Sequence, residues 1–446
     1  MAVNMKHVRI THVIVSLLIA LLAWMLPLGL VGQAHVMLFV MVFVAALWIT
    51  EAAPLHATAL FAAFLLILAV GLQPKDVFAQ YFDPVIVLLL GGFVIAVAMN
   101  KYHLDEYIAH KVIGRAGSSP RLVVLALLAT ATFISMWISN SATAAIIMPI
   151  AVVILLKNKV RRGSSNFGKA CVLAVGYGAT IGGIGTIIGS TPNVIAAKFL
   201  TDAGVQFGFT EWFVRGFPFM LALMVAGWLV LILLFRPEKQ RVVTLERKVA
   251  MTSQQKQVLA IFALTVALWI TESIHGIHNS VIALVPIILT YFTGLLNTQD
   301  FAKIDWATLV LVGGGLALGF GTHAAGLDAT IASVLTTLTV GQTILVLFLF
   351  LGVVGVVLTS VISNTTAGAV YLPIVVSLAS LFGAGVTDTV VVAAIGVSMD
   401  FVFPFGTPPT AIAYGTRYVN TRDIAKAGLV LSIVGVLLLA GFAMLW

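Results

Sequence analysis

Two short polar segments interrupt long uncharged stretches of this chain. The first contains Ser139, Asn140 and Ser141, and the second contains Ser363, Asn364 and Thr365. An asparagine side chain offers an oxygen acceptor and two amide donors, and a hydroxyl adds a donor without a fixed charge. The asparagine oxygen suits a cation, whereas the amide suits a carboxylate. These residues therefore predict a site that binds a small anion together with a cation.

A helix break follows each polar segment. Six glycines between residues 176 and 189 lead into the first break, which contains Gly189, Ser190, Thr191 and Pro192. The second break contains Gly406, Thr407, Pro408 and Pro409. Proline lacks a backbone donor and clashes with the preceding turn, so we expect both helices to unwind there. Unwinding frees carbonyl oxygens for a hard cation such as Na⁺ and exposes helix N-termini, whose dipole favours an anion.

One acidic residue, Asp400, lies close to the second break in the otherwise uncharged stretch 389–416. An acid within a membrane segment is costly and usually functional. Asp400 is therefore a candidate for coupling, either as a proton relay or as a charge close to a cation. The alternative is that Asp400 only accepts hydrogen bonds from a nearby hydroxyl or backbone donor.

The composition tells us in which environment these segments must lie. Of the 446 residues, 61% are hydrophobic and only 9% are charged, whereas a soluble protein carries roughly 25% charged residues. The chain is thus predicted to be a polytopic membrane protein, which excludes soluble enzymes and most nucleic-acid binders. The single cysteine, Cys171, excludes an intramolecular disulfide framework, and no motif for an organic cofactor is present.

Uncharged runs of sufficient length mark the membrane spans. We place spans near residues 11–32, 35–50, 57–73, 84–100, 211–235, 257–273, 280–297, 306–322 and 427–446, and the remaining crossings within the stretches 122–156, 170–197 and 329–387. With the N-terminus in the cytoplasm, 21 of the 24 Lys and Arg residues fall on the cytoplasmic side. Basic residues favour that side, so this distribution explains the net charge and places the C-terminus outside.

The orientation requires that residues 122–156 do not cross the bilayer. A continuous helix of that length would measure about 52 Å, whereas the hydrocarbon core is about 30 Å thick. Two shorter arms that meet at the polar tip fit instead. The segment is therefore predicted to be a re-entrant hairpin that enters from the cytoplasm.

The two halves of the chain repeat each other. The segment Leu-Trp-Ile-Thr-Glu at 47–51 recurs at 268–272, and the polar tip at 139–140 recurs at 363–364, 224 residues later. Each copy has five crossings, an odd number, so the second copy must be inverted, as in many secondary transporters. The second hairpin, around 341–381, then enters from outside. The predicted fold is all-α, with about 11 transmembrane helices and two re-entrant hairpins in an inverted repeat.

The paired Ser-Asn segments and the proline-containing breaks resemble those of the divalent anion/sodium symporter family. Its members transport di- and tricarboxylates and, in some cases, sulfate. The resemblance extends from Leu47 to the C-terminus. The chain departs from the family pattern at Ser141, where a threonine is usual, and at both breaks, where Pro-Pro-Asn becomes Thr-Pro-Asn at 191–193 and Pro-Pro-Thr at 408–410.

The resemblance implies a homodimer in the inner membrane whose transport domain slides past a scaffold, an elevator mechanism. Residues 1–116 and 251–338 would form the scaffold; residues 117–250, including a surface helix within 236–256, and 339–446 would form the transport domain. One Na⁺ would bind near Ser135, Ser139, Asn140 and Gly189, and another near Thr359, Asn364 and Gly406. The substrate would meet Ser139, Asn140, Ser141, Ser363, Asn364, Thr365, Thr407 and Pro408.

The function predicted from these observations is Na⁺-coupled import of C4-type dicarboxylates such as succinate, malate and fumarate. Within the same fold, a Na⁺-independent or H⁺-coupled carboxylate exchanger and a sulfate or tricarboxylate carrier stay open. Outside it, a channel would need a continuous selectivity pathway. An intramembrane enzyme that used Asp400 would need a second buried acid, which the sequence does not offer.

Overall fold

The computed structural model describes residues 2–27, 29–238, 241–243, 250–328, 343–379, 385–404 and 406–446. Within these ranges the regular structure is helical and contains no strand. Six helices are long and apolar enough to cross a membrane, and shorter apolar helices accompany them. The prediction of an all-α polytopic membrane protein is thereby confirmed, while the count of about 11 spans stays a prediction.

The described helices follow the order expected for two copies of one unit. The first half contains α1 (Ala2–Trp24), α2 (Gln33–Ile49), α3 (Leu55–Leu68), α4 (Pro74–Ala79), α5 (Pro84–Lys101), α6 (Leu104–Gly114), α7 (Pro120–Ser135), α8 (Asn140–Lys157), α9 (Asn166–Gly182), α10 (Thr191–Asp202) and α11 (Phe209–Leu234). The second half contains α12 (Ser253–Ile270), α13 (Glu272–His275), α14 (Asn279–Ile282), α15 (Leu284–Phe292), α16 (Thr298–Phe301), α17 (Trp306–Ala324), α18 (Ile344–Val361), α19 (Asn364–Ala379), α20 (Val386–Val397), α21 (Pro408–Gly415) and α22 (Thr421–Ala443).

In the structure, one helix ends and another begins at each polar tip. Helix α7 ends at Ser135 and α8 begins at Asn140, while α18 ends at Val361 and α19 begins at Asn364. The two helices of each pair contact each other, as expected for the arms of a hairpin. Whether the pairs re-enter the membrane from opposite sides stays a prediction.

The predicted helix breaks are confirmed. Helix α9 ends at Gly182 and α10 begins at Thr191, and α20 ends at Val397 and α21 begins at Pro408. Proline occupies the second position of α10 and the first two positions of α21. A helix tolerates proline there because the backbone N–H groups of its first turn have no intrahelical partner.

The two copies pack against each other with matching contacts. Helix α10 of the first copy contacts α19 and α20 of the second, and α21 of the second contacts α8 and α9 of the first. Each broken helix therefore lies against the hairpin of the other copy. Helix α17 packs on α3 in the same way that α5 packs on α15, which brings α5 and α17 alongside this assembly.

Glycine allows the closest of these contacts. A Cβ atom placed on Gly178 of α9 would lie 2.6 Å from the carbonyl oxygen of Leu128 in α7. On Gly314 of α17 it would lie 2.9 Å from the Cα atom of Ala59 in α3. Small residues let membrane helices approach this closely, so the glycines position the two breaks relative to the tips.

The connection between the halves differs from the predicted surface helix. Its described residues, 236–238 and 241–243, are not helical, and residues 239–240 and 244–249 of the predicted helix lie outside the described part of the chain. The backbone of Val243 exchanges two hydrogen bonds of 2.8 Å with the side chain of Asn158. The described residues 241–243 are thus held against the end of α8 without forming a helix. Residues 329–342, which include the start of the second hairpin, also lie outside the described residues.

Candidate functional site

Both tips and both breaks meet at one cavity of about 230 Å³. Nine of the predicted site residues line it: Ser139, Asn140, Ser141, Gly189, Ser363, Asn364, Thr365, Thr407 and Pro408. The other predicted residues, Ser135, Thr359, Gly406 and Asp400, are not in the lining. Elements more than 200 residues apart in sequence, such as the tips at 139–141 and 363–365, therefore contribute to a single site.

The two tips have the same internal hydrogen bond. Ser135 Oγ donates to Asn140 Oδ1 over 2.8 Å, and Thr359 Oγ1 donates to Asn364 Oδ1 over 2.6 Å. Both donors are fully buried. Because each hydroxyl proton points to the asparagine oxygen, the lone pairs of the hydroxyl oxygen stay available to a cation. The pairs Ser135–Asn140 and Thr359–Asn364 thus form two equivalent groups of oxygen atoms, one behind each tip.

In each tip, the first serine accepts a hydrogen bond from the backbone of the helix that follows. Ser139 Oγ accepts a hydrogen bond from the backbone N–H of Ala142, and Ser363 Oγ accepts one from that of Thr366, both over 3.3 Å. A serine at this position fixes the start of the helix that follows. The asparagines at the first positions of α8 and α19 consequently face the cavity in the same way.

The first break is held by an asparagine. Asn193 is fully buried, and its Nδ2 donates to the carbonyl oxygens of Gly183 and Thr186, each over 2.8 Å. A Cβ atom on Gly183 would lie 2.7 Å from Asn140 Oδ1. The break therefore lies directly against the first tip, and only glycine leaves room for that approach.

The second break is held differently. Thr410 Oγ1 donates to the carbonyl oxygens of Phe403 and Thr407, over 3.1 and 2.9 Å. A Cβ atom on Gly406 would lie 2.7 Å from Asp400 Oδ1. The fully buried carboxylate of Asp400 thus lies behind Gly406, outside the cavity lining.

A hydroxyl pair joins the two copies across the site. Thr191 Oγ1 at the start of α10 and Thr365 Oγ1 at the second tip are 2.5 Å apart. Both residues line the cavity. This contact links the first break directly to the second tip.

Sequence reasoning missed the part of the site that α5 and α17 contribute. Phe93 of α5, with Asp305 and Thr308 at the start of α17, also lines the cavity. Asp305 Oδ2 accepts a hydrogen bond of 2.6 Å from Thr308 Oγ1, and its Oδ1 accepts one of 3.0 Å from the Thr308 backbone N–H. Asp83 lies eight residues before the glycine pair 91–92, and Asp305 lies eight residues before the pair 313–314. This repeat was a usable signal, but sequence spacing alone does not show which helix faces the tips.

A second cavity of about 270 Å³ adjoins the first and shares Phe93, Ser139 and Asp305 with it. Its lining includes Lys101 and Lys303. Both lysines contact Asp300, with Nζ–Oδ distances of 2.6 and 2.8 Å.

These contacts affect the charge of Asp300. Burial alone would raise the pKa of this carboxyl group, but hydrogen bonds from Lys101 and Lys303 lower the pKa of Asp300 to about 2. The two lysines share the Asp300 carboxylate, and Asp305 also lines this cavity, so the positive and negative charges beside the site balance.

The comparisons with known proteins agree with this arrangement. The citrate transporter family (CitMHS) matches residues 45–396. The chain is 30% identical to the sodium-dependent dicarboxylate transporter SdcS of Staphylococcus saprophyticus over 93% of this chain and 87% of that protein. It is 29% identical to SdcS of Staphylococcus aureus strain USA300 over 93% and 86% of the two chains.

Two solved structures have a similar fold. The Alcanivorax borkumensis YdaH transporter superimposes with a TM-score of 0.58 at 14% identity, over 88% of this chain and 98% of that one. Neisseria gonorrhoeae MtrF superimposes with a TM-score of 0.57 at 13% identity, over 86% and 84%. The family match and the fold confirm the resemblance found in the sequence: the chain belongs to the citrate transporter family and is a membrane transporter, not an enzyme.

Proposed function

We propose that this protein imports C4-type dicarboxylates, such as succinate, malate and fumarate, in symport with Na⁺. The observation that carries the proposal is the convergence of two equivalent asparagine tips and two helix breaks on one small cavity. The names of the relatives in both Staphylococcus species, sodium-dependent dicarboxylate transporters, support the same substrate and cation.

The charges around the cavity favour symport. Among the described residues that line it, Asp305 is acidic and none is Lys or Arg. A dianion would therefore gain no ion pair from the lining, and its binding would depend on cations that bind first. Two Na⁺ ions bound at the tips would neutralise both carboxylates of the substrate.

The proposed ligands follow from the hydrogen bonds of the tips. One Na⁺ would bind at Ser135, Ser139, Asn140 and Gly189, and the other at Thr359, Asn364 and Gly406. The substrate would contact the tip hydroxyls and amides at 139–141 and 363–365, with Thr407 and Pro408 close by. The hydroxyls of Ser135 and Thr359 are buried behind the cavity lining, which suits cations that lie deeper than the anion.

The elevator mechanism is supported by the division of contacts. The tips and breaks, on α7–α10 and α18–α21, contact one another across the two copies. They meet α5 and α17 at the edge of this assembly, and an ion pair of 3.4 Å between Lys198 and Asp83 links α10 to the start of α5. We propose that residues 117–250 and 339–446 slide as a transport domain, and that residues 1–116 and 251–338 form the scaffold of a homodimer.

Uptake of succinate into proteoliposomes tests the transport proposal. We expect saturable uptake that rises steeply with external Na⁺ and concentrates succinate against its gradient. Citrate and sulfate, added as competitors, distinguish the substrate class. Full uptake in Na⁺-free, K⁺-containing buffer would reject symport and favour exchange, and uphill uptake driven by a pH gradient alone would favour H⁺ coupling.

Cysteine labelling tests the proposed orientation in the inner membrane. Cys171, the only native cysteine, is buried, so background labelling will be low. Ser118→Cys and Ser164→Cys flank the first hairpin at exposed positions. With a cytoplasmic N-terminus and an external C-terminus, both should label from the cytoplasm only, and Ser273→Cys from outside. Opposite sides for residues 118 and 164 would make the first hairpin a true span.

A further inference from the structure

The second break contains one carboxylate, that of Asp400, whose hydrogen-bonding capacity the fold does not fully satisfy. Asp400 is fully buried, and neither of its carboxylate oxygens forms a well-aligned hydrogen bond with a described residue, although the neighbouring Thr407 hydroxyl interacts with the carboxylate. A buried charge without a partner is strongly unfavourable, particularly within a membrane. A group that the structure does not itself supply must therefore neutralise this carboxylate.

The neighbouring donors are engaged elsewhere. Tyr177, which interacts electrostatically with Asp400, donates its hydroxyl proton to the carbonyl oxygen of Ile424 over 2.9 Å. Thr410 donates to Phe403 and Thr407. Helix α21 begins with two prolines, so the first two positions of its N-terminus offer no backbone N–H. Apart from the Thr407 hydroxyl, the neighbouring donors therefore leave the Asp400 oxygens free to accept.

A second acceptor lies in the same segment. The Thr407 hydroxyl is also buried and interacts with the Asp400 carboxylate, and its oxygen accepts no hydrogen bond from the described residues. Gly406, between the two, has no room for a side chain because the Asp400 carboxylate occupies that space. Carboxylate and hydroxyl oxygens in a compact group are suited to a hard cation.

The first break has no such group. Residue 183, which corresponds to Asp400 at the offset of 217 that relates the two breaks, is glycine. Its carbonyl oxygen accepts a hydrogen bond from Asn193 Nδ2. Asn193 Oδ1 is buried without a partner among the described residues, but it carries no charge. The two breaks consequently differ by one negative charge.

We propose that the Asp400 carboxylate is a direct ligand of the cation that binds at the second break, together with the Thr407 hydroxyl oxygen. This inference rests on the proposed Na⁺ symport and adds a charged ligand to its second cation site. That cation binds before the substrate, because the carboxylate attracts it in the absence of the dicarboxylate. The first site, which lacks a charged ligand, binds its cation more weakly in the absence of substrate.

Thermal unfolding of the purified transporter without substrate tests this inference. NaCl replaces KCl at constant ionic strength, and the wild type is compared with Asp400→Asn and with Asp76→Asn. Asp76 is an exposed residue of α4, so it controls for the same chemical change far from the site. We expect Na⁺ to raise the melting temperature of the wild type and of Asp76→Asn.

For Asp400→Asn we expect a higher melting temperature in KCl, because the substitution removes the unpaired buried charge. The Na⁺ concentration that gives half of the stabilisation should rise on the order of tenfold or more. Gly406→Ala, whose methyl group displaces the carboxylate, should produce the same shift even if Asp400→Asn does not fold. An unchanged Na⁺ titration in either folded variant would overturn the proposal. Stabilisation of the wild type by acid but not by Na⁺ would also overturn it and assign Asp400 to a proton.

Succinate uptake by the wild type, measured separately, distinguishes this inference from the proposed function. If Na⁺ stabilises the wild type through Asp400 but the wild type takes up no succinate, the proposed substrate is wrong and the cation site still stands. If the wild type transports succinate with Na⁺ but Asp400→Asn leaves the Na⁺ titration unchanged, Asp400 is not a cation ligand and the proposed function still stands.

Discussion

The two tips of the site are nearly identical, whereas the two breaks are not. Ser135–Asn140 and Thr359–Asn364 form equivalent hydrogen bonds. At the breaks, Asn193 braces the first with two donors, while the second has the hydroxyl of Thr410 and the unpaired carboxylate of Asp400. The duplication thus preserved the groups proposed to hold cations, and the difference between the halves lies in the charge behind them.

The largest effect is expected at the part that the two halves share. Asn140→Ala and Asn364→Ala each remove an oxygen acceptor and leave the buried hydroxyl of Ser135 or Thr359 without its partner. Na⁺-driven succinate uptake should fall by on the order of a hundredfold for either variant. Size-exclusion chromatography should still show a folded protein.

Asn158→Ala, at the C-terminal end of α8, is the matched control for this change. It removes hydrogen bonds to Val243 rather than to the site, and uptake should stay close to that of the wild type. Loss of uptake in only one of the two site variants would mean that the tips are not functionally equivalent.

The next largest effect on uptake is expected for a substitution at the first break. Gly183→Ala brings a methyl group within 2.7 Å of Asn140 Oδ1, so the first tip must shift and uptake should fall by about tenfold or more. Gly441→Ala, for which an added Cβ meets no atom within 4 Å, should transport normally. Both variants are compared by measuring succinate uptake at saturating and at subsaturating Na⁺ concentrations. Normal Na⁺ dependence in Gly183→Ala would contradict the close approach of break and tip.

A smaller effect is expected from the hydroxyls behind the tips. Ser135→Ala and Thr359→Ala each remove one hydrogen-bonded hydroxyl, a change typically worth about 1 kcal/mol, so the Na⁺ requirement should rise roughly fivefold. Thr359→Ser retains the hydroxyl and should restore most of the affinity. A larger loss in Ser135→Ala would fit a first site that lacks a charged ligand, because each neutral oxygen then contributes more.

The smallest effect concerns a contact that only one half has. Lys198 pairs with Asp83 across the boundary between α10 and α5, and the residue that corresponds to Lys198 in the second half is Gly415. Lys198→Met should change the maximal rate of uptake by about twofold, because partly exposed ion pairs contribute little. The Na⁺ concentration at half-maximal uptake should stay constant; a change there would place Lys198 in the binding site rather than at the sliding boundary.

Much of the candidate site was predictable because its sequence motifs occur once in each half of the chain. A polar Ser-Asn pair in an uncharged stretch has several explanations, including close helix packing, but two such pairs with matching proline breaks have few. Nine predicted residues do line one cavity. The contributions of Asp305, Thr308 and Phe93 were not predictable, since they depend on which faces of α5 and α17 meet the tips.

The sequence by itself determined the all-helical membrane architecture, the duplicated tips and the two helix breaks. These follow from local chemistry: hydrocarbon requires apolar helices, and proline and glycine end them regardless of the surroundings. Only the tertiary structure decided that the four segments meet in one cavity and that α5 and α17 complete it. It also decided that Asp400 lies unpaired behind Gly406, because hydrogen-bond satisfaction depends on neighbours from distant parts of the chain.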